Sequence, residues 1–99
     1  MVSTAGSRTL VASVAVDPVG MPLGRIKKVT ADGAWALIDV GLIFHRSAVI
    51  PLGACRAAGG DVLVPWRAST VWSAPKVRWR SDGQLDPSGA AVLLDHYGL

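Results

Sequence analysis

The sequence predicts an all-β domain: a small barrel of six antiparallel strands, with a short helical turn and a C-terminal α-helix. Three observations predict this class of fold. A chain of 99 residues suits a single domain. Its short stretches rich in Val, Ile and Trp fit a pleated, half-buried surface better than a helix. Gly, Pro and Asp recur between these stretches as turn signals, a pattern typical of small antiparallel barrels and sandwiches.

The strand pattern is centred on the segment 33–52, GAWALIDVGLIFHRSAVIPL. Two apolar arms flank a short polar middle in this segment, and that arrangement predicts an antiparallel hairpin. Pro51 has no N–H to donate to a ladder, so we expect it at a strand end or on an edge strand.

Before the hairpin we predict two strands, at 9–16 and 23–30. The turn at 17–20, DPVG, joins them, because Pro suits the second position of a β-turn and Gly a later position with positive φ. The turn at 31–33, ADG, leads into the hairpin, since Asp-Gly is a strong hairpin signal.

After the hairpin we predict short strands at 54–57 and 61–66, and a helical turn within 67–73 that the following Ala-Pro stops. The segment 76–80, KVRWR, alternates cations with bulky apolar residues. In an extended chain its apolar side chains point inward and its cations point to solvent.

The last predicted element is an α-helix whose two ends are marked in the sequence. Asp86 suits the N-cap, Pro87 the first helical position and Gly98 the left-handed C-cap. We assign residues 81–99 to an acidic linker and this helix, which packs on the barrel or on a neighbouring subunit. One apolar stripe with helical spacing runs along it: Ala90, Leu93, Leu94 and Tyr97.

The composition indicates the class of protein, and the absence of recognisable targeting segments indicates its location. Hydrophobic residues make up 51% and charged residues 17% of the chain, which indicates a globular protein. We expect residues 1–8 to be a flexible N-terminus and residues 9–80 to form the barrel. One cysteine excludes a disulfide within the chain. We recognise no signal peptide and no apolar run near the ~20 residues of a membrane span, so we expect a cytoplasmic protein.

Five segments follow one another in a characteristic order along residues 11–99. They are VDPVGMPLGRI at 16–26, WALIDVG at 35–41, VIPL at 49–52, GDVLVPWRASTVWSAPKV at 60–77 and HYGL at 96–99. This ordered set, with its spacings, resembles the PRC-barrel family, named for the photosynthetic reaction centre. The family includes soluble bacterial proteins, the cytoplasmic domain of the reaction-centre H subunit and the C-terminal domain of a ribosome-maturation factor.

The resemblance implies a six-stranded barrel of SH3-like size that acts as an adaptor docking on other macromolecules. The family has no shared catalytic residues, so none carries over to this chain. Members commonly hold Gly at the hairpin position of Phe44, and this departure leaves the type of turn open.

Cys55, His45, His96 and Asp39 are the familiar catalytic residue types worth testing. A Cys–His pair needs both side chains within hydrogen-bond reach, and no flanking motif indicates that here. Two His and one Cys without metal-ligand spacing predict no metal site, and no cofactor motif is present. A ligand pocket at the barrel mouth is a further class, for which the sequence offers no polar constellation. We predict that the domain is not an enzyme.

Two apolar groups are candidates for contact with a partner protein: Leu42, Ile43 and Phe44 at the hairpin tip, and Leu93, Leu94 and Tyr97 on the helix. The hairpin group forms a partner patch if it projects at the tip, and it joins the core if the hairpin bends inward. The helix group packs on its own barrel or docks on a neighbouring subunit.

Nucleic acid is the alternative partner, through Lys76, Arg78 and Arg80 with Trp72 and Trp79. Rings for stacking beside cations are the chemistry that single strands require. The opposing interpretation is that both rings seat the linker on the barrel while the cations are solvated, and the small net charge of +3 favours it. We therefore predict a non-catalytic interaction or adaptor domain that self-associates as a homodimer, with RNA or ribosome binding as the alternative.

Overall fold

The computed structural model describes residues 10–41 and 46–99. The predicted flexibility of residues 1–8 and the predicted patch at Leu42, Ile43 and Phe44 lie outside the described residues. The described chain contains the strands, the 3₁₀ helix and the α-helices that follow: β1 (Val14–Val16), β2 (Pro22–Val29), β3 (Trp35–Val40), β4 (Arg46–Pro51), the 3₁₀ helix (Leu52–Ala54), β5 (Arg56–Ala58), β6 (Asp61–Leu63), α1 (Ala68–Trp72) and α2 (Pro87–Tyr97).

The six described strands form one sheet in the order β4-β3-β2-β1-β6-β5. Strands β1 to β4 pair with their sequence neighbours in antiparallel fashion, as predicted, and so do β5 and β6. β1 and β6 pair in parallel, so the prediction of a fully antiparallel sheet was wrong. A turn fixes the relative direction of the two strands that it joins. No turn joins β1 to β6, so the relative direction of these two strands depends on the path of the whole chain between them.

The sheet is not closed, because β4 and β5 are its two edges and do not pair with each other. The predicted closed barrel is corrected to a curled, open sheet. β4 ends at Pro51 and β5 begins at Arg56, so at most about 18 Å of chain joins the two edges. In a flat sheet of six strands those edges would lie about 24 Å apart, so the sheet must curl to bring them together.

The core fills the inside of this curl. Its most deeply buried large side chains come from β2, β3, β4, β6, both α-helices and the connecting segments: Ile26, Ile38, Ile50, Leu52, Val62, Val64, Val71 and Leu93. Because α1 and α2 contribute to the same cluster as the strands, the helices and the sheet share one core.

The predicted turn between β1 and β2 is confirmed, and the side chain of Asp17 fixes it. Its Oδ1 accepts hydrogen bonds from the N–H of Val19 at 3.0 Å and of Met21 at 2.8 Å. Asp side chains commonly stabilise turns in this way. β1 is shorter than predicted and begins at Val14, because Ala12 has a φ of 75°, which interrupts an extended backbone.

Both predicted ends of α2 are confirmed. The carboxylate of Asp86 accepts from the hydroxyl of Ser88 and from the N–H of Gly89, and these bonds hold its pKa below the ordinary value. Gly98 ends the helix in the left-handed region, with a φ of 74°. Gly89 has a further role that the sequence does not reveal, since a Cβ there would collide with Cγ1 of Val77. The glycine lets α2 rest directly on the segment before it.

Candidate interaction surface

The inner face of α2 attaches the helix to its own sheet. Leu93 is 0% exposed. Tyr97 donates its hydroxyl to the carbonyl of Val49 at 2.7 Å, and its ring lies 4.7 Å from that of Trp66. In this structure, Leu93 and Tyr97 therefore pack within their own chain, and Leu94 is the member of the predicted helix group that reaches the surface.

Large apolar side chains are also exposed on α2. Val92 is 52% exposed and Leu94 is 41% exposed. Ser88, Ala91 and Asp95, spaced i, i+3 and i+7, are exposed opposite the buried Leu93, so Val92 and Leu94 flank the buried stripe on its two sides. Asp95 is the only Asp, Glu, Lys or Arg between residues 87 and 97.

An apolar groove lies beside Leu94, between α2 and the open end of the β3–β4 hairpin, where β3 begins and β4 ends. Its volume is about 400 Å³. Small or apolar residues line it: Ala34, Trp35, Pro51, Gly53, Ala54, Ala90, Leu94 and Leu99. We call this groove, together with the exposed side chain of Leu94, the α2 face.

The tryptophan rings considered for nucleic-acid stacking are each covered by a cation from a strand of the sheet. Nζ of Lys28 lies 4.1 Å from the ring centroid of Trp79. The guanidinium of Arg46 lies 4.7 Å from the ring centroid of Trp72. Such contacts are attractive and cover one face of each ring, which a base would otherwise use.

The cations of the same segment also have contacts within the chain. Lys76, Arg78 and Arg80 are exposed while the two residues between them are half-buried, as the alternation predicts. Lys76 donates to the carbonyl of Ser47, Arg80 pairs with Asp82 at 3.1 Å, and the carbonyl of Arg78 accepts from the N–H of Asp86 at 2.9 Å. The exposed ion pair adds little stability. These contacts attach the segment 76–80 to the rest of the domain.

Two of the four residues considered as catalytic types bond to backbone carbonyls. The thiol of Cys55 is buried, donates to the carbonyl of Pro51 at 3.3 Å, and has its pKa raised to about 12 by burial. A nucleophilic cysteine needs a lowered pKa instead. Nε2 of His96 lies 2.8 Å from the carbonyl oxygen of Thr70. The structure therefore does not pair this thiol with this imidazole.

The other two catalytic types lie elsewhere in the sequence. Asp39 is half-buried in β3, and His45 lies outside the described residues. Within 10–41 and 46–99, no three His, Cys, Asp or Glu side chains come close enough to hold a metal ion. The helices of this part of the chain are too short or too polar to cross a bilayer.

The chain matches no model of a known protein family, and no curated protein matches it. The α2 face must therefore be judged by its own chemistry. Helical spacing singled out Leu94 of this face. The groove beside it brings together residues from 34–35, 51–54 and 90–99, and no local pattern in the sequence indicates it.

Proposed function

We propose that this chain is a PRC-barrel-type, non-catalytic protein-interaction domain that self-associates through the α2 face. The observation that carries the proposal is the apolar groove beside α2, with Leu94 exposed next to it. The inner side of α2 is buried on the sheet, and Leu94 is 41% exposed where the helix meets the groove. An exposed apolar groove of this kind is typical of protein–protein contact sites.

A second copy of the chain suits the α2 face, because the face contains both a projecting side chain and a groove that can receive one. Leu94 is a large exposed side chain, while Ala34, Gly53 and Ala54 give the neighbouring groove a lining of small residues. Two copies related by a two-fold axis can each place Leu94 against the groove of the other, since such an interface requires a self-complementary patch. Asp95 is the single formal charge on α2, so little charge has to be desolvated.

The family part of the proposal is supported by local geometry. The motif at 16–26 comprises the end of β1, the turn held by Asp17 and the first half of β2. A Cβ at Gly24 would lie 2.6 Å from the backbone oxygen of Asp39, so this glycine of the motif permits close pairing of β2 with β3. The adaptor role comes from the resemblance and is an analogy from fold, which is why the α2 face needs a direct test.

The test is solution mass by light scattering across a dilution series, at low and high salt. We expect the wild type to have twice the monomer mass of 10.3 kDa, with little dependence on salt because the contact is apolar. Leu94→Arg should give a monomer, since a charge would be buried without a partner.

Leu63→Arg is the matched control for that variant. Leu63 lies in β6, does not line the groove and is 39% exposed, against 41% for Leu94. The control should remain a dimer. A wild type that is monomeric at every concentration, or equal loss of the dimer in both variants, would contradict the proposal.

RNA binding through Lys76–Arg80 is the weaker candidate, because Trp72 and Trp79 each have a ring face covered by a cation. A gel shift with single-stranded RNA at low salt decides between the two. Binding that weakens with salt and disappears in Arg78→Ala/Arg80→Ala would favour this alternative.

A further inference from the structure

The strand order and registers bring six strand ends together at one end of the curled sheet. From β4 across to β5 they are Arg46, Val40, Pro22, Val16, Leu63 and Arg56. The four residues between the arginines are apolar, and all six residues are exposed or half-buried. An apolar band with a cation on each side therefore lies at this end of the sheet. We call these six residues, together with the turn from β1 to β2, the tip end.

The turn from β1 to β2 extends beyond this row of strand ends and exposes two large apolar side chains. Val19 is 70% exposed and Met21 is 60% exposed. The turn adjoins the apolar band at both of its ends, through Val16 and Pro22. Exposed apolar side chains that are contiguous with others mark contact surfaces.

The N–H groups of this turn are all bonded within the chain. Oδ1 of Asp17 accepts from the N–H of Val19 and from the N–H of Met21. The carbonyl of Asp17 accepts from the N–H of Gly20 at 3.0 Å, and the N–H of Asp17 donates to the carbonyl of Met21 at 2.9 Å. The other two residues of 17–22 are prolines, which have no N–H. The turn thus presents no unbonded N–H, as a segment that enters lipid requires.

The exposed charges at the tip end are positive. Arg46 and Arg56 flank the apolar band, Arg67 follows the end of β6 by four residues, and all three are exposed. The guanidinium of Arg46 also lies over the ring of Trp72. Asp17 is only 7% exposed, and it is the only Asp or Glu in the described residues 16–22, 40–41, 46, 56 and 63–67. Arginines beside exposed apolar side chains complement a surface of negative charge.

We propose that the tip end binds a membrane surface that contains anionic lipid headgroups. Val19 and Met21 enter the boundary between headgroups and acyl chains, and the three arginines contact the headgroups. A lipid surface is the occupant because it receives a projecting turn without a matching cavity, whereas a protein partner has to supply one to pack well. Nucleic acid suits the turn less, since aliphatic side chains offer no ring for base stacking.

Cosedimentation of the full chain with lipid vesicles tests this site. One kind of vesicle contains equal parts of phosphatidylcholine and phosphatidylserine, and the other contains phosphatidylcholine alone. We expect the wild type to bind the first kind more tightly than the second. High salt should weaken binding to the first kind, because it screens exposed charges.

Val19→Ser tests the apolar part of the tip end, and Val92→Ser is its matched control. Val92 is also a largely exposed valine, at 52%, but it lies on α2. We expect Val19→Ser to weaken binding about tenfold, since less apolar surface is buried, and Val92→Ser to leave it unchanged. The bonds that hold the turn come from Asp17 and the backbone, so serine at residue 19 should leave the turn intact, and circular dichroism checks the fold.

Arg56→Gln tests the charged part, and Arg78→Gln is its matched control. Each variant removes one positive charge from an exposed arginine, but Arg78 lies in the segment 76–80, next to the start of α2. We expect Arg56→Gln to weaken binding to the anionic vesicles about fivefold, and Arg78→Gln to change it less.

Three results would overturn the proposal. If the folded wild type binds neither kind of vesicle, a protein partner becomes the better occupant of the tip end. Equal binding to both kinds would exclude recognition of anionic headgroups. Equal losses in each variant and its control would show that the tip end is not the surface that binds. No residue of the tip end lines the groove of the α2 face, and binding is compared among variants that light scattering shows to have the same mass, so the outcome does not depend on self-association.

Discussion

The buried and the exposed leucine of α2 are the same kind of residue but differ in what surrounds them. Leu93 and Leu94 are sequence neighbours, yet one is 0% exposed and the other 41%. The inner face has two features that the outer face lacks: the hydroxyl of Tyr97 bonds to the sheet, and Gly89 leaves room for Val77. Apolar content alone therefore does not identify the core face of a helix, whereas a polar anchor and a close backbone approach do.

Leu93→Ala should produce the largest loss of stability. Truncating a fully buried leucine typically lowers the free energy of unfolding by about 2–5 kcal/mol, through lost burial and the cavity that remains. Urea denaturation followed by circular dichroism measures the change at a fixed protein concentration. Val92→Ala on the outer face is the control, with an expected change within about 0.5 kcal/mol. Similar losses for the two variants would show that the faces are not distinct.

Gly89→Ala should destabilise the domain by about 1–3 kcal/mol through steric overlap with Val77. The sign of the change in the free energy of unfolding is informative, because intrinsic propensity favours Ala over Gly in a helix by about 1 kcal/mol. Gly53→Ala is the control, since a Cβ there would meet nothing within 4 Å beyond its chain neighbours. Because Gly53 lines the groove of the α2 face, both variants are measured at a concentration where the wild type is a monomer. A more stable Gly89→Ala protein would mean that α2 does not rest on the segment before it.

The features that the sequence predicted correctly are those that depend on residues close together in the chain. The turn at 17–20, the hairpin around 33–52 and both caps of α2 each depend on a few neighbouring residues. The parallel pairing of β1 with β6 and the burial of the edge strand β4 depend on contacts between distant segments. The bonds from Tyr97 to Val49 and from Lys76 to Ser47 span 48 and 29 residues, and no local periodicity predicts such a pair.

Alkaline pH should lower the free energy of unfolding, through two buried groups near the inner face of α2. Burial raises the pKa of the Cys55 thiol to about 12, from an ordinary value of 9.0, and burial next to this thiol also raises the pKa of Tyr97. The folded chain therefore keeps protons that the unfolded chain loses. Stability from each group is complete below its ordinary pKa and declines as the pH rises toward the folded value, by about 1.4 kcal/mol per pH unit.

Urea titrations between pH 8 and pH 11 measure this decline, with the pH range set by the thiol pKa values of 9.0 and about 12. Tyr97→Phe is the control, because it removes one of the two groups and should make the decline shallower. Equal slopes for the variant and the wild type would show that Tyr97 does not titrate differently in the two states.

Leu94→Arg should have the smallest effect on stability of all these changes. The side chain is already 41% exposed, so its removal leaves no cavity, and we expect the free energy of unfolding to change by no more than about 0.5 kcal/mol at concentrations where the wild type is a monomer. The same variant should nevertheless lose the dimer at higher concentration. A large loss of stability in the dilute monomer would instead assign Leu94 to the core, and the groove beside it would then need no partner.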